Sequence, residues 1–391
     1  MKSQHIILIH GLFGWGKKEL SGLPYWGYAG AVDHKNFTVH EASCGPVSSF
    51  HDRACEVAAQ SKGAPTDYGL NHSSMEKHSR FSEDYSGKGF IPDWSEHNPA
   101  ILIGHSAGGH TALKLQQLLR DDFWGWGSNA KWIEAVVGLS PVLNGSTLPY
   151  MLGCDKQSGL LSGSFGPFLG KAIQFFAMAG GGSIENIFDF DLDQWIGTGK
   201  GGNFQTIVAA LDNSNFGKGK DNLAFDLSLQ GGFEANQSFQ TDPETYYLSF
   251  VTEQTTKGWF TSFHYPDPLM NPSLAATAAY QGVIVDFDNS PIPGWGSGDL
   301  VIEKWRENDG AVSSISQRYP FTAGHHPVGG EGIFHRNSIQ KGKWYFEKVE
   351  DSTGRSFDHL DVGFGCFTDP SLIGAQKKLY RNIFSLLRKL P

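Results

Sequence analysis

An α/β fold with a mostly parallel central sheet and helices on both faces is predicted by the placement of apolar residues along the chain. Short apolar runs occupy residues 5–9, 100–103, 133–139 and 246–251, a pattern typical of strands that are buried on both faces. The stretches between these runs are long enough to hold helices, as connections between parallel strands require.

The 391 residues are predicted to form one domain, 1–391, that carries two insertions. The insertions are expected at about residues 50–95 and 143–245, and the second is about a hundred residues of irregular structure. Residues 312–358 form another loop-rich stretch. One sheet with insertions of this size accommodates a chain of this length.

Composition excludes one class of partner. The formal net charge is −9 and no run of five lysines or arginines occurs, so no nucleic acid is expected to bind. Neutral or apolar small molecules, or a metal cation, are the expected partners. Cys44, Cys55, Cys154 and Cys366 are spaced too widely for a zinc ribbon or a disulfide scaffold, and we expect buried free thiols.

No run of 18 consecutive apolar residues is present, so no transmembrane segment is expected. The apolar stretch at the start is too short for a signal peptide and lacks a cleavage site. Either the protein is intracellular or a leader has been removed, and the sequence leaves both alternatives open.

The segment AILIGHSAGGH, residues 100–110, joins a strand, a G-x-S-x-G motif and a helical pattern. This combination is typical of a nucleophile elbow, in which a serine occupies a sharp strand-to-helix turn. Gly104 and Gly108 remove side chains that would clash there, and the helix directs its N–H groups and dipole at a developing oxyanion. Ser106 is therefore the predicted nucleophile of an α/β-hydrolase fold.

Two backbone donors are expected to form the oxyanion hole. One is the N–H of Ala107, directly after the nucleophile. The other is the N–H of Leu12, in the loop that follows the first strand and begins with His10 and Gly11.

A serine nucleophile needs an imidazole base. The histidines after Ser106 are His110, His264, His325, His326, His335 and His359. His110 lies on the helix after the elbow and is badly placed. His359 comes late, before the last helix, where this fold carries its base, and the others remain surface histidines or structural ligands.

The base needs an orienting carboxylate, which in this fold lies between the serine and the histidine in the chain. Asp309, in WRENDGAVS, satisfies that order. An Asn-Asp-Gly sequence is also a common tight turn with no catalytic role, so from spacing alone both alternatives remain.

The chain resembles the thermoalkalophilic, zinc-containing bacterial lipases, the Geobacillus-type and staphylococcal group. The matching segments are HGLFGWG, PYWGYAG, GPVSSFHDRACE, DYGLNHSSMEKHSRF, DFDLDQW, DNLAFDLS, ETYYLSFVTEQT, WRENDGAVS and FDHLDV. The resemblance implies a Ser106, Asp309 and His359 triad and secretion. Gly104 and Ala107 depart from the family's usual Ala and Gln, and the change at 107 should widen the pocket.

His72 and His78 alone would more often be two surface histidines. In the resembling lipases the matching positions bind a structural zinc ion together with two aspartates, which correspond to Asp52 and Asp221. Two imidazoles and two carboxylates suit a closed tetrahedral zinc site. The resemblance therefore implies a zinc lobe at about 50–95, a lid and zinc-lobe insertion at 143–245, and a metal that pins the inserted lobe to the main sheet.

The resemblance also implies a calcium ion near His359. Its expected ligands are Asp361, the Asp369-Pro370 pair and a backbone carbonyl at Leu269. Oxygen ligands of this kind suit Ca²⁺. The alternative is a solvated acidic loop.

Residues 167–179, PFLGKAIQFFAMA, are predicted to be helical and are apolar on nearly every face. Either the helix is buried in the core, or it is a lid that covers Ser106 and opens toward lipid.

These residues and the resemblance imply a carboxylic-ester hydrolase of the triacylglycerol lipase class, acting through an acyl-enzyme on medium-to-long acyl esters. Polyesters are a further expected substrate. A lipid or other apolar ester is the expected partner, with transient contact to a lipid interface. The alternatives are an acyltransferase that uses the same triad and a non-catalytic lipid-binding protein of the hydrolase fold.

Overall fold

The structure is a computed structural model that describes residues 4–17, 23–32, 35–171, 190–197, 204–284, 302–322, 327–334 and 339–390. Its strands are β1 (Gln4–Ile9), β2 (Phe37–Ala42), β3 (Pro65–Asp67), β4 (Phe81–Asp84), β5 (Ala100–His105), β6 (Ile133–Leu139), β7 (Tyr246–Val251), β8 (Thr255–Lys257), β9 (His264–Pro266), β10 (Val328–Glu331) and β11 (Trp344–Lys348). Seven of them form the central sheet in the order β10-β11-β7-β6-β5-β1-β2. All neighbouring strands in this sheet are parallel, which confirms the predicted α/β class.

The four predicted strands coincide with β1, β5, β6 and β7, which are adjacent in the middle of the sheet. The strands that the apolar pattern missed, β2, β10 and β11, form its two sides. The edge strands β2 and β10 are not buried on both faces, so their sequences lack a continuous apolar run. Strand β11 lies inside the sheet, but its three buried aromatic residues are followed by Glu347 and Lys348, so its apolar run is short. In β2 the sequence FTVHEA includes polar residues, and β10 contains two glycines.

The helices are α1 (Phe50–Lys62), α2 (Leu70–Glu76), α3 (Ala107–Arg120), α4 (Leu148–Leu152), α5 (165–171), α6 (Asp193–Ile196), α7 (Phe204–Asp212), α8 (Asn215–Lys218), α9 (Leu223–Asp226), α10 (Leu229–Ser238), α11 (Pro272–Ala279), α12 (Ile302–Arg306), α13 (Ser314–Arg318) and α14 (Ile373–Leu387). Helix α14 covers one face of the sheet, and α1 and α3 cover the other. Ile6 of β1 packs in the apolar cluster that contains Phe384 of α14. Its neighbour Ile7 packs in the cluster that contains Leu113 of α3, because successive strand residues face opposite sides.

The predicted insertion at 143–245 is not irregular, because it contains the short helices α4 to α10. Most are too short to show a clear helical period in the sequence. Helices α1 and α2 and the hairpin of β3 and β4 lie within the other predicted insertion, 50–95. The division into one domain with these two insertions stays a prediction.

All four cysteines are buried free thiols, as predicted. Among the described residues, no helix is both long and apolar enough to cross a membrane.

Candidate active site and metal centre

Ser106 lies between β5 and α3 in a strained turn. Its φ of 56° and ψ of −124° are rare for a residue with a side chain. Its N–H donates to the carbonyl of Leu139 over 3.0 Å, and its carbonyl accepts from the N–H of Val142 over 3.1 Å. Ser106 occupies the N-cap position of α3, yet its hydroxyl makes no capping hydrogen bond. The hydroxyl is therefore available to groups in the adjoining pocket.

The glycines of the motif are required by close backbone contacts. A Cβ atom on Gly104 would lie 2.2 Å from the carbonyl oxygen of Gly108. A Cβ atom on Gly108 would lie 2.0 Å from the carbonyl oxygen of Ile9, at the end of β1. The start of α3 is thus packed directly on the backbone of the first strand.

The predicted base and acid are in contact. The Nδ1 atom of His359 lies 2.8 Å from Oδ2 of Asp309, and both residues are buried. The backbone N–H of His359 also donates to the carbonyl of Asp309 over 3.0 Å. A carboxylate oxygen accepts hydrogen bonds, so Nδ1 is the donor to Asp309 and Nε2 is the nitrogen left for a reacting group.

Asp309 lies in the predicted turn and is held from both sides. Its Oδ1 accepts from the backbone N–H groups of Ala311 and Val312, over 3.0 and 2.7 Å. Its Oδ2 accepts from the Thr252 hydroxyl over 2.7 Å and the Gln317 amide over 3.1 Å. The turn and the contact with the base are therefore both present, and the turn orients the carboxylate.

The loop after β1 passes directly against Ser106. A Cβ atom on Gly11 would lie 2.6 Å from that of Ser106, and Leu12 lines the same pocket as the serine. The guanidinium of the fully buried Arg53 donates to the carbonyl of His10 and fixes the start of this loop. Ala107 is the first residue of α3. The oxyanion-hole roles of Leu12 and Ala107 remain predictions, and both residues lie next to the serine.

A chain of hydrogen bonds joins this loop to the base. The Tyr25 hydroxyl accepts from the N–H of Gly11 over 3.0 Å and contacts Nδ1 of His105 at 2.5 Å. The opposite nitrogen of His105, Nε2, lies 3.0 Å from the carbonyl of His359. A carbonyl cannot donate, so Nε2 carries the proton and Nδ1 accepts from Tyr25.

The protonation of this chain is fixed by its surroundings. Burial lowers the pKa of His105 well below its ordinary value, and the neighbouring His359 lowers it further. Burial also raises the pKa of Tyr25. At neutral pH the imidazole is therefore uncharged and the hydroxyl keeps its proton. The Tyr25 hydroxyl then donates to Nδ1 of His105, and Nε2 of His105 donates to the carbonyl of His359.

Ser106 and His359 line one pocket whose walls are almost entirely apolar. Leu148, Leu152 and Leu227 contribute to these walls. Phe168, from the predicted lid helix, also lines it and is buried. Helix α5 covers only the first part of the prediction at 167–179, and the remainder lies outside the described residues.

The other histidines are placed differently. The ring of His110 packs 4.6 Å from that of Phe50, and burial lowers its pKa to about 3. His264 lies on β9, where its Nδ1 is 3.2 Å from the Thr255 hydroxyl. The remaining candidates, His325, His326 and His335, lie outside the described residues.

Asp52, His72, His78 and Asp221 converge on one point, and their ligand atoms all lie within 4.8 Å of one another. Nε2 of His72 is 3.1 Å from Asp52 and 3.3 Å from Asp221, and Nε2 of His78 is 3.4 Å from Asp221. Asp52 lies on α1, His72 on α2, and Asp221 just before α9. The cluster therefore joins the two predicted insertions.

Residues around the cluster orient its ligands. Nδ1 of His78 lies 2.8 Å from the carbonyl of Ser79, so that nitrogen is the donor and Nε2 faces the cluster. The Gln194 amide donates to the second oxygen of Asp52 over 2.9 Å. The ring of Trp195 packs 4.7 Å from that of His78. Sequence reasoning missed Gln194 and Trp195, although both belong to the segment DFDLDQW that carries the resemblance.

The cluster fits a metal cation. Nε2 of His78 and Oδ2 of Asp221 are buried, and neither makes a hydrogen bond of good geometry. Burial opposes charge on His72, but the two facing carboxylates of Asp221 and Asp52 outweigh it and raise the pKa of His72 to about 10. Two buried carboxylates thus favour positive charge at this point, and a divalent ion would supply it.

The residues expected to bind calcium have other partners. The carbonyl of Leu269 and Oδ2 of Asp369 both accept from Arg355, over 3.2 and 2.9 Å. Oδ2 of Asp361 accepts from the N–H of Asp358 over 2.9 Å. The carbonyl of Pro370 accepts from the backbone N–H three residues later. Each of these groups therefore accepts at least one hydrogen bond from the protein itself.

The family model for lipase-like C-terminal domains matches residues 2–147 and 172–384. The chain belongs to this family. Lipase 1 of Staphylococcus aureus strain MRSA252 is 27% identical to this lipase-like chain over 380 residues, which cover 91% of the chain and 50% of the relative. The lipase of Staphylococcus epidermidis is 25% identical over 383 residues, with 91% and 49% covered. The lipase-like chain therefore spans about half the length of the curated relatives it matches.

Solved structures show the same fold. EstA from Clostridium botulinum has a TM-score of 0.79 and 27% identity, with 99% of this chain and 87% of that chain covered. Lipase 1 from Pelosinus fermentans has a TM-score of 0.74 and 26% identity, with both chains covered completely. The Staphylococcus hyicus lipase, at 22% identity and a TM-score of 0.72, supports the fold alone. The α/β-hydrolase fold and the resemblance to bacterial lipases are confirmed.

Removal of the metal should destabilise the lipase-like chain. An ion present at 100 times its dissociation constant contributes about 2.7 kcal/mol, so for a chain of this length we expect chelation to lower Tm by about 3 °C. Scanning calorimetry before and after chelation measures this change, and elemental analysis should find one metal per chain. His78→Ala should abolish both the metal and the shift. His97→Ala, at a histidine whose side chain is 89% exposed, should preserve them. Equal Tm values with and without metal would contradict the expectation.

Tyr25→Phe should slow ester hydrolysis without preventing folding. The change removes the partner of both Gly11 N–H and His105 Nδ1, and an unpaired buried polar group costs about 1–3 kcal/mol. We expect kcat for a soluble p-nitrophenyl ester to fall about tenfold, with KM little changed. Tyr247→Phe is the matched control, because that buried hydroxyl also accepts one N–H and donates once, to Gln116. An equal kcat for the two variants would remove the role assigned to Tyr25.

Proposed function

We propose that the chain is a carboxylic-ester hydrolase of the lipase type, with Ser106 as nucleophile, His359 as base and Asp309 as the residue that orients the base. The observation that carries this proposal is the shared pocket. A serine in a strained turn without a capping bond, and a histidine oriented by a buried carboxylate, line the same apolar cavity. Family membership and the lipases among its relatives support the same activity.

In the proposed reaction, Ser106 attacks the ester carbonyl while Nε2 of His359 accepts its proton. The negative charge on the carbonyl oxygen is stabilised by the N–H groups of Leu12 and Ala107. His359 then returns the proton to the leaving alcohol, and an acyl-enzyme remains. Water deprotonated by His359 releases the acid and regenerates the serine.

We propose medium-to-long acyl esters, including triacylglycerols, as the substrates. The pocket wall offers leucines and Phe168 to an acyl chain and few polar groups to a polar substrate. Burial of each methylene contributes about 0.8 kcal/mol, so a longer chain gains affinity as long as the pocket accommodates it.

We propose zinc as the metal held by Asp52, His72, His78 and Asp221. Two imidazole nitrogens and two carboxylate oxygens are ligands typical of tetrahedral Zn²⁺. Four protein ligands leave no position for substrate or reactive water, so the ion would supply structural stability. It would hold α1 and α2 against the segment before α9.

We propose that the hairpin of β8 and β9 contacts the lipid interface during turnover. At its tip the side chains of Trp259 and Phe260 are 93% and 97% exposed. The hairpin follows the carboxyl end of β7, and Ser106 follows the carboxyl end of the parallel strand β5, so both lie at one edge of the sheet. Aromatic side chains partition well into the boundary between water and lipid.

Ser106→Ala should abolish hydrolysis and labelling by a fluorophosphonate. Removal of the nucleophile is expected to lower kcat by about six orders of magnitude, while the fold, measured by circular dichroism, is unchanged. Ser158→Ala, at an exposed serine that bonds Asp155, is the matched control and should retain activity and labelling. Full turnover by the Ser106→Ala variant would overturn the hydrolase proposal. Release of an ester rather than an acid when alcohol is added would instead indicate an acyltransferase.

Serine in place of both Trp259 and Phe260 should reduce activity on emulsified triacylglycerol more than on a soluble ester. Loss of two exposed aromatic anchors weakens adsorption to the emulsion but leaves the pocket intact. We expect at least a fivefold fall on the emulsion, equivalent to about 1 kcal/mol, and less than a twofold change on p-nitrophenyl butyrate. Phe81→Ser, at an aromatic residue that is 51% exposed on another hairpin, should leave both rates unchanged. An equal fall on both substrates would contradict contact with the interface.

A further inference from the structure

Arg355 lies where the family resemblance places a calcium ion. Its Nη2 atom donates to the carbonyl of Leu269 over 3.2 Å and to Oδ2 of Asp369 over 2.9 Å. These are two of the four expected calcium ligands, and they share one nitrogen. Nη1 also donates to the Ser371 hydroxyl over 3.2 Å.

The guanidinium is well enclosed. The Arg355 side chain is only 15% exposed, whereas the side chain of Asp369 is 38% exposed. The backbone of Arg355 is fixed as well, because its N–H donates to the Asp351 carboxylate over 3.0 Å and its carbonyl accepts from the Asp351 N–H over 2.8 Å. The short loop 351–355 therefore holds the guanidinium against the carboxylate of Asp369.

A guanidinium and a calcium ion cannot share these ligands. Calcium binds oxygen at about 2.3–2.6 Å and needs six to eight oxygen ligands. With Nη2 already within 3.2 Å of Leu269 O and Asp369 Oδ2, an ion at the same oxygens would lie in contact with a positive charge. The metal cluster at Asp52 differs, since no lysine or arginine donates to its ligand atoms among the contacts of the described residues.

We propose that Arg355 takes the place of the calcium ion that the resemblance implies, so that this chain needs no calcium for stability. The side chain supplies the positive charge and joins three segments: the loop before His359, the turn at Leu269 after β9, and the turn at Asp369 before α14. In this role Arg355 is a positioning residue for the loop that carries the base. The proposal does not depend on ester hydrolysis, because calcium binding and unfolding are measured without substrate.

The test uses the full chain, loaded with one equivalent of zinc and freed of calcium on a chelating resin. Calcium chloride is titrated in a calorimeter, and Tm is measured at each calcium concentration. For the unaltered chain we expect no binding heat, and a Tm that stays within about 1 °C up to 10 mM Ca²⁺.

Arg355→Ala should create a need for calcium. Without calcium its Tm should fall by at least about 2–4 °C, because the acidic residues lose their cation. Added calcium should restore Tm with a dissociation constant on the order of 0.1–1 mM. Arg355→Gln, which keeps a hydrogen-bond donor but no charge, serves as the second variant if Arg355→Ala does not fold. Arg381→Ala, at an exposed arginine on α14, should change neither Tm nor calcium binding.

A combination of Arg355→Ala with Asp369→Asn should lose the calcium response, which would place the ion at this site. Saturable calcium binding by the unaltered chain, abolished by Asp369→Asn alone, would overturn the proposal. So would an Arg355→Ala variant whose lost stability calcium does not restore, because the arginine would then not occupy the position of the ion.

Discussion

The close packing of the strand-to-helix turn at Ser106 on the backbone of β1 is the constraint on which the site depends. Gly108 approaches the carbonyl of Ile9 so closely that no side chain fits between them. This contact fixes where α3 begins, and so fixes the positive φ of the serine. A residue in such a conformation costs about 1–3 kcal/mol. The buried parallel strands on both sides of β5 hold the turn in place against that cost.

His105, the residue before Ser106, connects the candidate site to two further segments of the chain. His105 ends β5, and its ring contacts Tyr25 on one side and the carbonyl of His359 on the other. Tyr25 in turn binds the N–H of Gly11. Three segments that are remote in the chain are thereby held by one uncharged imidazole. A network of this kind is directional because each member can donate in only one way.

Local sequence signals predicted the strands at the centre of the sheet and indicated a candidate serine, but they missed the strands toward the edges and the residues that support the candidate site. β1, β5, β6 and β7 are continuous apolar runs because both faces are covered, whereas β2, β10 and β11 lie toward the edges and carry no such run. The G-x-S-x-G context predicted Ser106 from local chemistry alone. Asp309 and the four metal-cluster residues required the family resemblance, because an Asn-Asp-Gly turn or two spaced histidines are ambiguous by themselves.

The contacts of Tyr25 and Arg355, which support the candidate site, could not have been predicted from local sequence. Nothing near Tyr25 indicates that it reaches His105, and nothing near Arg355 indicates that it meets Leu269 and Asp369. These contacts depend on tertiary packing between distant segments. The resemblance transferred a set of calcium ligands position by position, and it did not indicate that Arg355 contacts two of them.

The burial of the four thiols determines how readily they react with oxidants and disulfides. Burial raises the pKa of Cys55 well above its ordinary value, that of Cys154 to about 12 and that of Cys366 to about 11. The thiolate is the form that oxidants and disulfides attack, so these sulfurs are almost unreactive near neutral pH while the fold is intact. Because none of the four thiols is cross-linked, the fold contains no disulfide for a reducing agent to break.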